Sequence, residues 1–76
     1  MSLSTMEYRI LACFLQHEGE GLSREQLLDE VWDHDSSVYS RIVDVHVATL
    51  RQKIEANPSR PRFVVTVHRL GYRFDG

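Results

Sequence analysis

The chain has 76 residues, of which 42% are hydrophobic, and this length is typical of one domain with one modest core. It excludes a two-domain cleft enzyme, a repeat array and a large cofactor-binding fold. The formal net charge of −2 argues at first against a nucleic-acid partner. However, residues 1–37 carry two basic and eight acidic side chains, whereas residues 38–76 carry seven basic and three acidic ones. Such an asymmetry between halves indicates a charged partner.

A single cysteine, Cys13, excludes an intrachain disulfide, and its apolar neighbours predict a small buried thiol. A framework without disulfides fits a reducing compartment, so we expect a cytoplasmic protein. No apolar run approaches the roughly 18 residues that a membrane span needs, and no signal peptide precedes the first predicted helix. The sequence therefore predicts no membrane association.

A capping box predicts the start of the first helix, because the Ser4 side chain can accept from the Glu7 backbone while Glu7 reaches back to the cap. The helix is predicted over about 5–17, and Gly19 and Gly21 end it. Its predicted apolar face consists of Tyr8, Leu11, Cys13, Phe14 and Leu15.

Ser23 and Gln26 repeat the capping box and begin a second helix over about 24–32. Its predicted buried stripe consists of Leu27, Leu28, Val31 and Trp32. A polar loop over about 33–39 follows.

The third helix is predicted over about 40–56, where Asn57 and Pro58 end it. At about 100° per residue, a narrow core stripe is formed by Val43, Val47, Leu50 and Ile54. The opposite face gathers Arg41, Val45, Ala48, Thr49 and Gln52. That face combines one cation with small or uncharged side chains, so no large side chain would prevent the helix from fitting into a groove of a partner.

After Pro61 the hydrophobic period changes from 3.6 to 2, which predicts a β-hairpin over about 63–75. His68 and Arg69 are placed at its tip, and Gly71 is expected to supply the permissive backbone of the turn. Three helices followed by a C-terminal hairpin make an α+β, mainly α, fold of the winged helix-turn-helix type. The whole chain, 1–76, is predicted to be a single domain.

Several segments together resemble one known family. They are Leu3-Ser4-x-x-Glu7-Tyr8-x-Ile10-Leu11, Leu22-Ser23-Arg24-Glu25-Gln26-Leu27-Leu28, Val31-Trp32, Arg41-x-Val43-Asp44-Val45-His46-Val47-x-x-Leu50-Arg51-x-Lys53, Thr66-Val67 and Gly71-Tyr72-Arg73-Phe74. In this order and spacing they resemble the C-terminal effector domain of OmpR/PhoB-family response regulators. The resemblance implies sequence-specific DNA binding as the transcriptional output of a two-component, phosphorelay system.

The resemblance also implies roles for individual positions. The third helix would enter the major groove, with Val45 and Thr49 facing base edges. Positions that would approach phosphates are Arg24, Trp32, Arg41, His46 and Tyr72. In the wing, Thr66 and His68 would lie at the minor groove, with Arg69 next to them. Arg51 lies nearer the core side of the helical wheel, so its expected partner is a phosphate or an acidic residue.

The partners implied by the resemblance are promoter DNA with direct-repeat half-sites, a receiver domain in the intact protein, and RNA polymerase through the loop 33–39. An exposed apolar surface on the first helix could also support a homodimer.

Three departures from the family pattern alter these expectations. The run Ala48-Thr49-Leu50-Arg51-Gln52 has fewer arginines than is usual, which predicts weaker reading of guanine. The wing has His68 where an arginine is common, so DNA affinity is expected to depend on pH. The antiparallel sheet that usually precedes the first helix is not expected over residues 1–4, where the first helix begins almost at once.

Two other classes of function remain open beside DNA binding. A winged-helix protein-interaction module would have the same shape. A small metal-dependent enzyme would need clustered ligands, but the four histidines at 17, 34, 46 and 68 show no compact spacing. We therefore expect no metal, no cofactor and no catalytic residues.

Overall fold

The computed structural model describes residues 2–32 and 41–75, and within these ranges the chain forms three helices and three strands. The elements in chain order are α1 (Thr5–Gln16), β1 (Gly21–Ser23), α2 (Arg24–Val31), α3 (Arg41–Ile54), β2 (Val64–Val67) and β3 (Gly71–Phe74). The predicted winged helix-turn-helix architecture, with three helices and a C-terminal hairpin, is confirmed. None of the described helices is long and apolar enough to cross a membrane.

Both predicted capping boxes are present. The Glu7 backbone N–H donates to Ser4 Oγ at 3.2 Å, and the Ser4 N–H donates to Glu7 Oε1 at 2.7 Å. Ser23 and Gln26 make the same pair of bonds, at 3.1 and 2.8 Å. Each box satisfies backbone donors that the first turn of a helix would otherwise leave without partners. These local bonds explain why the sequence placed both helix starts correctly.

The core lies where the three helices meet the sheet. Its buried hydrophobic residues are Ile10, Cys13, Phe14, Leu22, Leu27, Val31, Val43, Val47, Leu50, Val64, Tyr72 and Phe74. The predicted stripe of α3 is confirmed, because Val43, Val47 and Leu50 are fully buried and Ile54 packs against the core.

The predicted apolar face of α1 was partly wrong. Tyr8 and Leu15 are 66% and 53% exposed, whereas Ile10, which the prediction omitted, is fully buried. The buried stripe follows Ile10, Cys13 and Phe14 at the i, i+3, i+4 spacing of one helix face. Tyr8 and Leu15 were assigned to the buried face because they are apolar, but their positions in the helix lie outside the buried stripe.

The sheet has the order β1-β3-β2, and its first strand was missed. β1 pairs antiparallel with β3, with Leu22 opposite Tyr72, while β2 and β3 form the predicted hairpin with Val64 opposite Phe74. No strand was predicted for the β1 segment, which lies between the first two predicted helices. Three residues are too few to show an alternating pattern, and only the distant strand β3 gives them a partner.

The role expected of Gly71 was also wrong. Gly71 lies in β3, and a Cβ atom there would stand 2.2 Å from the carbonyl oxygen of Leu22. Glycine is therefore needed because β1 and β3 approach closely, and not because the turn requires it. The residue with a left-handed backbone in the turn is Arg69, with φ of 67°.

A buried carboxylate fixes the connection between α3 and the wing. Glu55 follows the last residue of α3, which ends two residues before the predicted limit. Its carboxylate accepts from the backbone N–H groups of Arg62, Phe63 and Val64 at 2.8, 3.0 and 2.9 Å. These bonds satisfy backbone donors at the start of β2 and so set where the wing leaves the helical core.

Candidate nucleic-acid interface

The outward face of α3 is open along its length. Its exposed residues are Arg41, Val45, Ala48, Thr49 and Gln52, which is the set predicted from the helical wheel. Val45 is 56% exposed even though it is aliphatic. Because the opposite side of α3 is anchored in the core, this face is both rigid and accessible.

Thr49 presents a restricted set of groups on that face. Its hydroxyl donates to the backbone carbonyl of His46 at 2.9 Å. The hydroxyl also lies close enough to the Glu7 carboxylate to help lower the pKa of Glu7, so its single proton is used within the fold. Thr49 therefore offers a ligand a methyl group and oxygen lone pairs. It can accept a hydrogen bond from a ligand without breaking any bond of the fold.

Arg24 and Tyr72, both predicted from the resemblance to approach phosphates, meet at a residue that the sequence analysis did not select, Asp44. Arg24 Nε and the Tyr72 hydroxyl donate to the same oxygen, Asp44 Oδ1, at 2.8 and 2.5 Å. The Arg24 guanidinium also lies 5.8 Å from the centre of the Tyr72 ring. Asp44 could have been noticed as an acidic residue in the first turn of an otherwise non-acidic helix face.

Asp44 shifts the pKa values of Arg24 and Tyr72, and they shift that of Asp44, in the direction that keeps their shared hydrogen bonds. Burial opposes ionisation of Asp44, but hydrogen bonds from Tyr72 and Arg24 outweigh it and lower the pKa of Asp44. Burial, followed by the bond to Asp44, raises the pKa of Tyr72 to about 12. The hydroxyl therefore stays protonated and remains a donor. The bond to Asp44 also raises the pKa of Arg24.

Arg51 joins α3 to the wing. Its Nε donates to the Val64 carbonyl and its Nη2 donates to Thr66 Oγ1, both at 2.9 Å. The guanidinium also lies 5.3 Å from the centre of the Tyr72 ring. The expected partner was a phosphate or an acidic residue, whereas the structure shows strand β2. The helical wheel placed Arg51 near the core correctly, but it could not show which strand lies beside it.

Trp32 and His46 form a contact between the end of α2 and α3. Their ring centres are 5.3 Å apart in an edge-to-face arrangement, and Trp32 also packs against the core. Nδ1 of His46 lies 2.9 Å from the Ile42 carbonyl, so this nitrogen carries a proton. That bond leaves Nε2 as the imidazole atom for a contact outside the fold.

The wing tip holds His68 and Arg69, and both are exposed. Across residues 2–32 and 41–75, no ion pair joins Arg69 to an acidic side chain. Arg73, by contrast, is held by Asp75 through two bonds of 2.8 Å. The loop 33–39, expected to contact RNA polymerase, lies outside the described residues.

The predicted residues thus occupy several separate places on the fold. Val45 and Thr49 lie on the open face of α3. The residues joined through the Asp44 and Arg51 contacts are Arg24, Arg51, Thr66 and Tyr72. Trp32 packs on His46, while Arg41, His68 and Arg69 are exposed at the ends of α3 and the wing.

Comparison with known proteins identifies the family of this chain. The family described as "Transcriptional regulatory protein, C terminal" matches residues 1–74. The alkaline phosphatase synthesis transcriptional regulatory protein SphR of Synechococcus elongatus is 45% identical over 73 residues, which is 96% of this chain and 28% of SphR. The chain therefore spans less than a third of that relative.

Two solved structures show the same fold. The response regulator DrrB of Thermotoga maritima, an OmpR/PhoB homologue, superposes with a TM-score of 0.89 at 35% identity, over 99% of this chain and 34% of DrrB. The DNA-binding domain of Klebsiella pneumoniae RstA, solved in complex with the RstA box, gives 0.85 at 32% identity, over 97% and 73% of the two chains. The chain therefore belongs to the family of C-terminal domains of transcriptional regulatory proteins, and within it to the winged helix-turn-helix DNA-binding domains of OmpR/PhoB-type response regulators.

Proposed function

We propose that this domain binds double-stranded DNA with α3 in the major groove and the β2–β3 hairpin as a wing at the minor groove. In this role it is the sequence-specific output of a two-component response regulator and regulates transcription. The observation that carries the proposal is the open face of α3, which is backed by the core and fixed to the wing through Arg51. We assign the domain no catalytic activity.

Val45 and Thr49 are the proposed contacts to base edges. The exposed methyl groups of Val45 suit the C5-methyl group of thymine. Thr49 can accept from the amino group of adenine or cytosine, because its own proton is held by the His46 carbonyl. A contact to guanine in the major groove needs a donor and would require Thr49 to give up that internal bond.

Some residues are proposed to contact phosphate directly, and others to hold those residues in position. Arg41 and the terminal nitrogens of Arg24 would bind directly, as would Nε2 of a protonated His46. Trp32 would contribute its indole N–H or hold His46 in place through the ring contact. Tyr72 would act through Asp44, by which it orients Arg24.

The wing contributes His68 and Arg69 to the minor groove, and Thr66 lies at its margin. The Thr66 hydroxyl accepts from Arg51, so its own proton can be donated to a phosphate or a base edge. Arg51 is assigned to positioning because both of its described bonds are made to β2.

The partners of the intact protein follow from the family. We propose a receiver domain elsewhere in the protein, promoter DNA with direct-repeat half-sites, and contact with RNA polymerase through residues 33–39. Tandem binding would bring two copies together as a homodimer. A cytoplasmic location is consistent with all of these partners.

The salt dependence of DNA affinity tests the binding mode. With about five charged contacts to phosphate, the log–log slope of affinity against salt is expected to be roughly −4.5. Arg41→Ala should make it shallower by about 0.9, whereas Arg60→Ala removes the same charge from the α3–β2 connection and should leave it unchanged. A flat slope with retained binding to a protein partner would instead favour an interaction module.

Selection of bound sites from a random DNA pool tests the base contacts. The expected motif is rich in thymine methyl groups and poor in guanine contacted by α3. Thr49→Val keeps the shape but removes the acceptor, so the preference for adenine or cytosine at one position should be lost. A guanine-dominated motif that depends on Thr49 would contradict the proposal.

A further inference from the structure

A cluster of three potential ligands lies between α1 and α2, among residues that the proposed DNA interface does not use. Cys13 lies in α1, His17 caps the end of that helix one turn later, and Glu30 lies in α2. One ligand atom from each lies within 4.8 Å of the other two. We propose that Cys13, His17 and Glu30 bind one divalent transition-metal ion of the zinc type, which joins α1 to α2.

The distances within the cluster are close to those of a tetrahedral metal site. The Cys13 thiol donates to Glu30 Oε2 at 2.8 Å, and His17 Nε2 lies 3.1 Å from Glu30 Oε1. Zinc bonds of roughly 2.3 Å to sulfur and 2.0–2.1 Å to nitrogen or oxygen place ligand atoms roughly 3.3–3.6 Å apart. The two contacts are made to different Glu30 oxygens, so a shared metal needs small movements of these side chains, of about 1 Å. It also needs the Cys13 and His17 ligand atoms, which lie within 4.8 Å of each other, to stand about 3.6 Å apart.

The orientation of His17 supports the same site. Its other ring nitrogen, Nδ1, lies 3.4 Å from Glu20 Oε2. A metal-binding histidine commonly donates its remaining N–H to a carboxylate, which fixes the tautomer and directs the free nitrogen to the metal. Glu20 is placed for that role, because the Nε2 atom on the other side of the ring points to Glu30.

The cluster is accessible from outside. A hollow of about 200 Å³ between α1 and α2 is lined in part by Cys13 and Glu30. It gives an ion a path to the thiol, which is otherwise buried, and leaves space for a water molecule as the fourth ligand. Three protein ligands with one open position are a common zinc arrangement.

Metal binding must release the thiol proton. Burial, followed by the bond to Glu30, raises the pKa of Cys13 to about 12, so the thiol is protonated at neutral pH. The metal forms a bond to Sγ as the S–H bond breaks, and the proton passes to solvent. Thiolate and carboxylate together then balance the two positive charges of the ion. Affinity should consequently rise with pH.

Co²⁺, followed by displacement with Zn²⁺, is the probe under reducing conditions. One ion per chain should bind, with thiolate-to-cobalt charge-transfer absorption and the visible bands of a four-coordinate site. Calorimetry in two buffers of different protonation enthalpy should show at least one proton released per ion, from the thiol, and a second where His17 Nε2 is protonated in the metal-free chain. Cys13→Ser should abolish the charge-transfer band.

Substitutions at the half-buried His17 and the exposed Glu30 avoid the loss of a buried core residue. His17→Ala and Glu30→Gln should weaken Zn²⁺ binding at least tenfold, and Glu20→Gln should weaken it by roughly tenfold or more. Glu25→Gln on α2 and His68→Ala on the wing are matched controls and should leave affinity unchanged. DNA affinity should be the same in Glu30→Gln and the unaltered chain, so this test is independent of the proposed function.

The inference would be overturned by binding that persists in Glu30→Gln and His17→Ala, by absence of the charge-transfer band, or by a loss of binding in His68→Ala. Any of these results would identify the cluster as a hydrogen-bonded link between two helices.

Discussion

Arg51 on α3 donates a 2.9 Å hydrogen bond to the hydroxyl of Thr66 on β2, so the helix proposed to read DNA and the wing are held in one arrangement. A second bond from the same guanidinium to the Val64 carbonyl adds a backbone contact. The relative position of helix and wing thus depends on a side chain that need not touch DNA.

Arg51→Met should lower the free energy of unfolding by about 1–2 kcal/mol, because it removes both bonds while keeping an unbranched aliphatic stem at this position. Thr66→Val removes one of them and should cost less, about 0.5–1 kcal/mol. Urea unfolding of both single variants and of the double variant measures the coupling free energy between Arg51 and Thr66. Strict additivity would show that the bond contributes nothing to stability.

Asp44→Asn is expected to change stability and DNA affinity in opposite directions. Stability should fall by about 1 kcal/mol, since the ion pair with Arg24 is lost from a partly exposed site. DNA affinity should rise, because a negative charge leaves the groove-facing helix, and this gain is expected to exceed what is lost when Asp44 no longer orients Arg24. Unfolding and fluorescence-anisotropy titrations on the same protein check both effects. A parallel loss of both would show that Asp44 mainly holds the binding geometry.

Arg69 occupies a left-handed backbone conformation that costs a non-glycine residue about 1 kcal/mol. Arg69→Gly should therefore be neutral in stability or stabilising by up to about 1 kcal/mol. The same variant should bind DNA less tightly, since a wing-tip charge is lost. Arg69→Lys keeps the charge and is the control. If Arg69→Gly bound DNA as well as the unaltered chain, the arginine would have no role in the wing.

DNA affinity should weaken from mildly acidic to mildly alkaline pH if His68 supplies charge to the wing, because histidine is the side chain whose charge changes near neutrality. His68→Lys should hold the affinity nearly constant, whereas His68→Ala should be weak throughout. His46→Ala is measured in parallel, since His46 is the other histidine proposed to approach phosphate. Retention of the full pH dependence in His68→Ala would rule out the wing histidine as its source.

Glu7 should make the domain sensitive to acid. The bond from Lys53, at 2.6 Å, is the main cause that lowers the pKa of Glu7 from 4.5 to about 2, followed by the bond from the Ser4 backbone. A lowered folded-state pKa means that the stabilisation is complete above pH 4.5 and is lost as the pH falls toward 2.

In Glu7→Gln this contribution is missing, although glutamine can still complete the capping box. The stability difference from the unaltered chain, measured by urea unfolding, should therefore be constant above about pH 5 and shrink as the pH falls below 4.5. Glu25→Gln, in the first turn of α2, should show a much smaller effect. An unchanging difference down to about pH 3 would contradict the ion-pair explanation.

Local chemistry explains what the sequence determined by itself. The capping boxes at Ser4 and Ser23 are made within four residues, so their helix starts were predictable. The stripe of α3 follows a period of 3.6, and that periodicity also predicted the exposure of Val45 and Thr49. The order and spacing of the motifs then identified the family.

Only the tertiary structure decided the contacts between distant parts of the chain. Strand β1 exists because β3 lies beside it, and Gly71 is required because the Leu22 carbonyl approaches it. The pairing of Asp44 with Arg24 and Tyr72, and of Cys13 and His17 with Glu30, joins residues from different elements. Such neighbours depend on how whole helices and strands pack, which a periodic pattern within one segment does not contain.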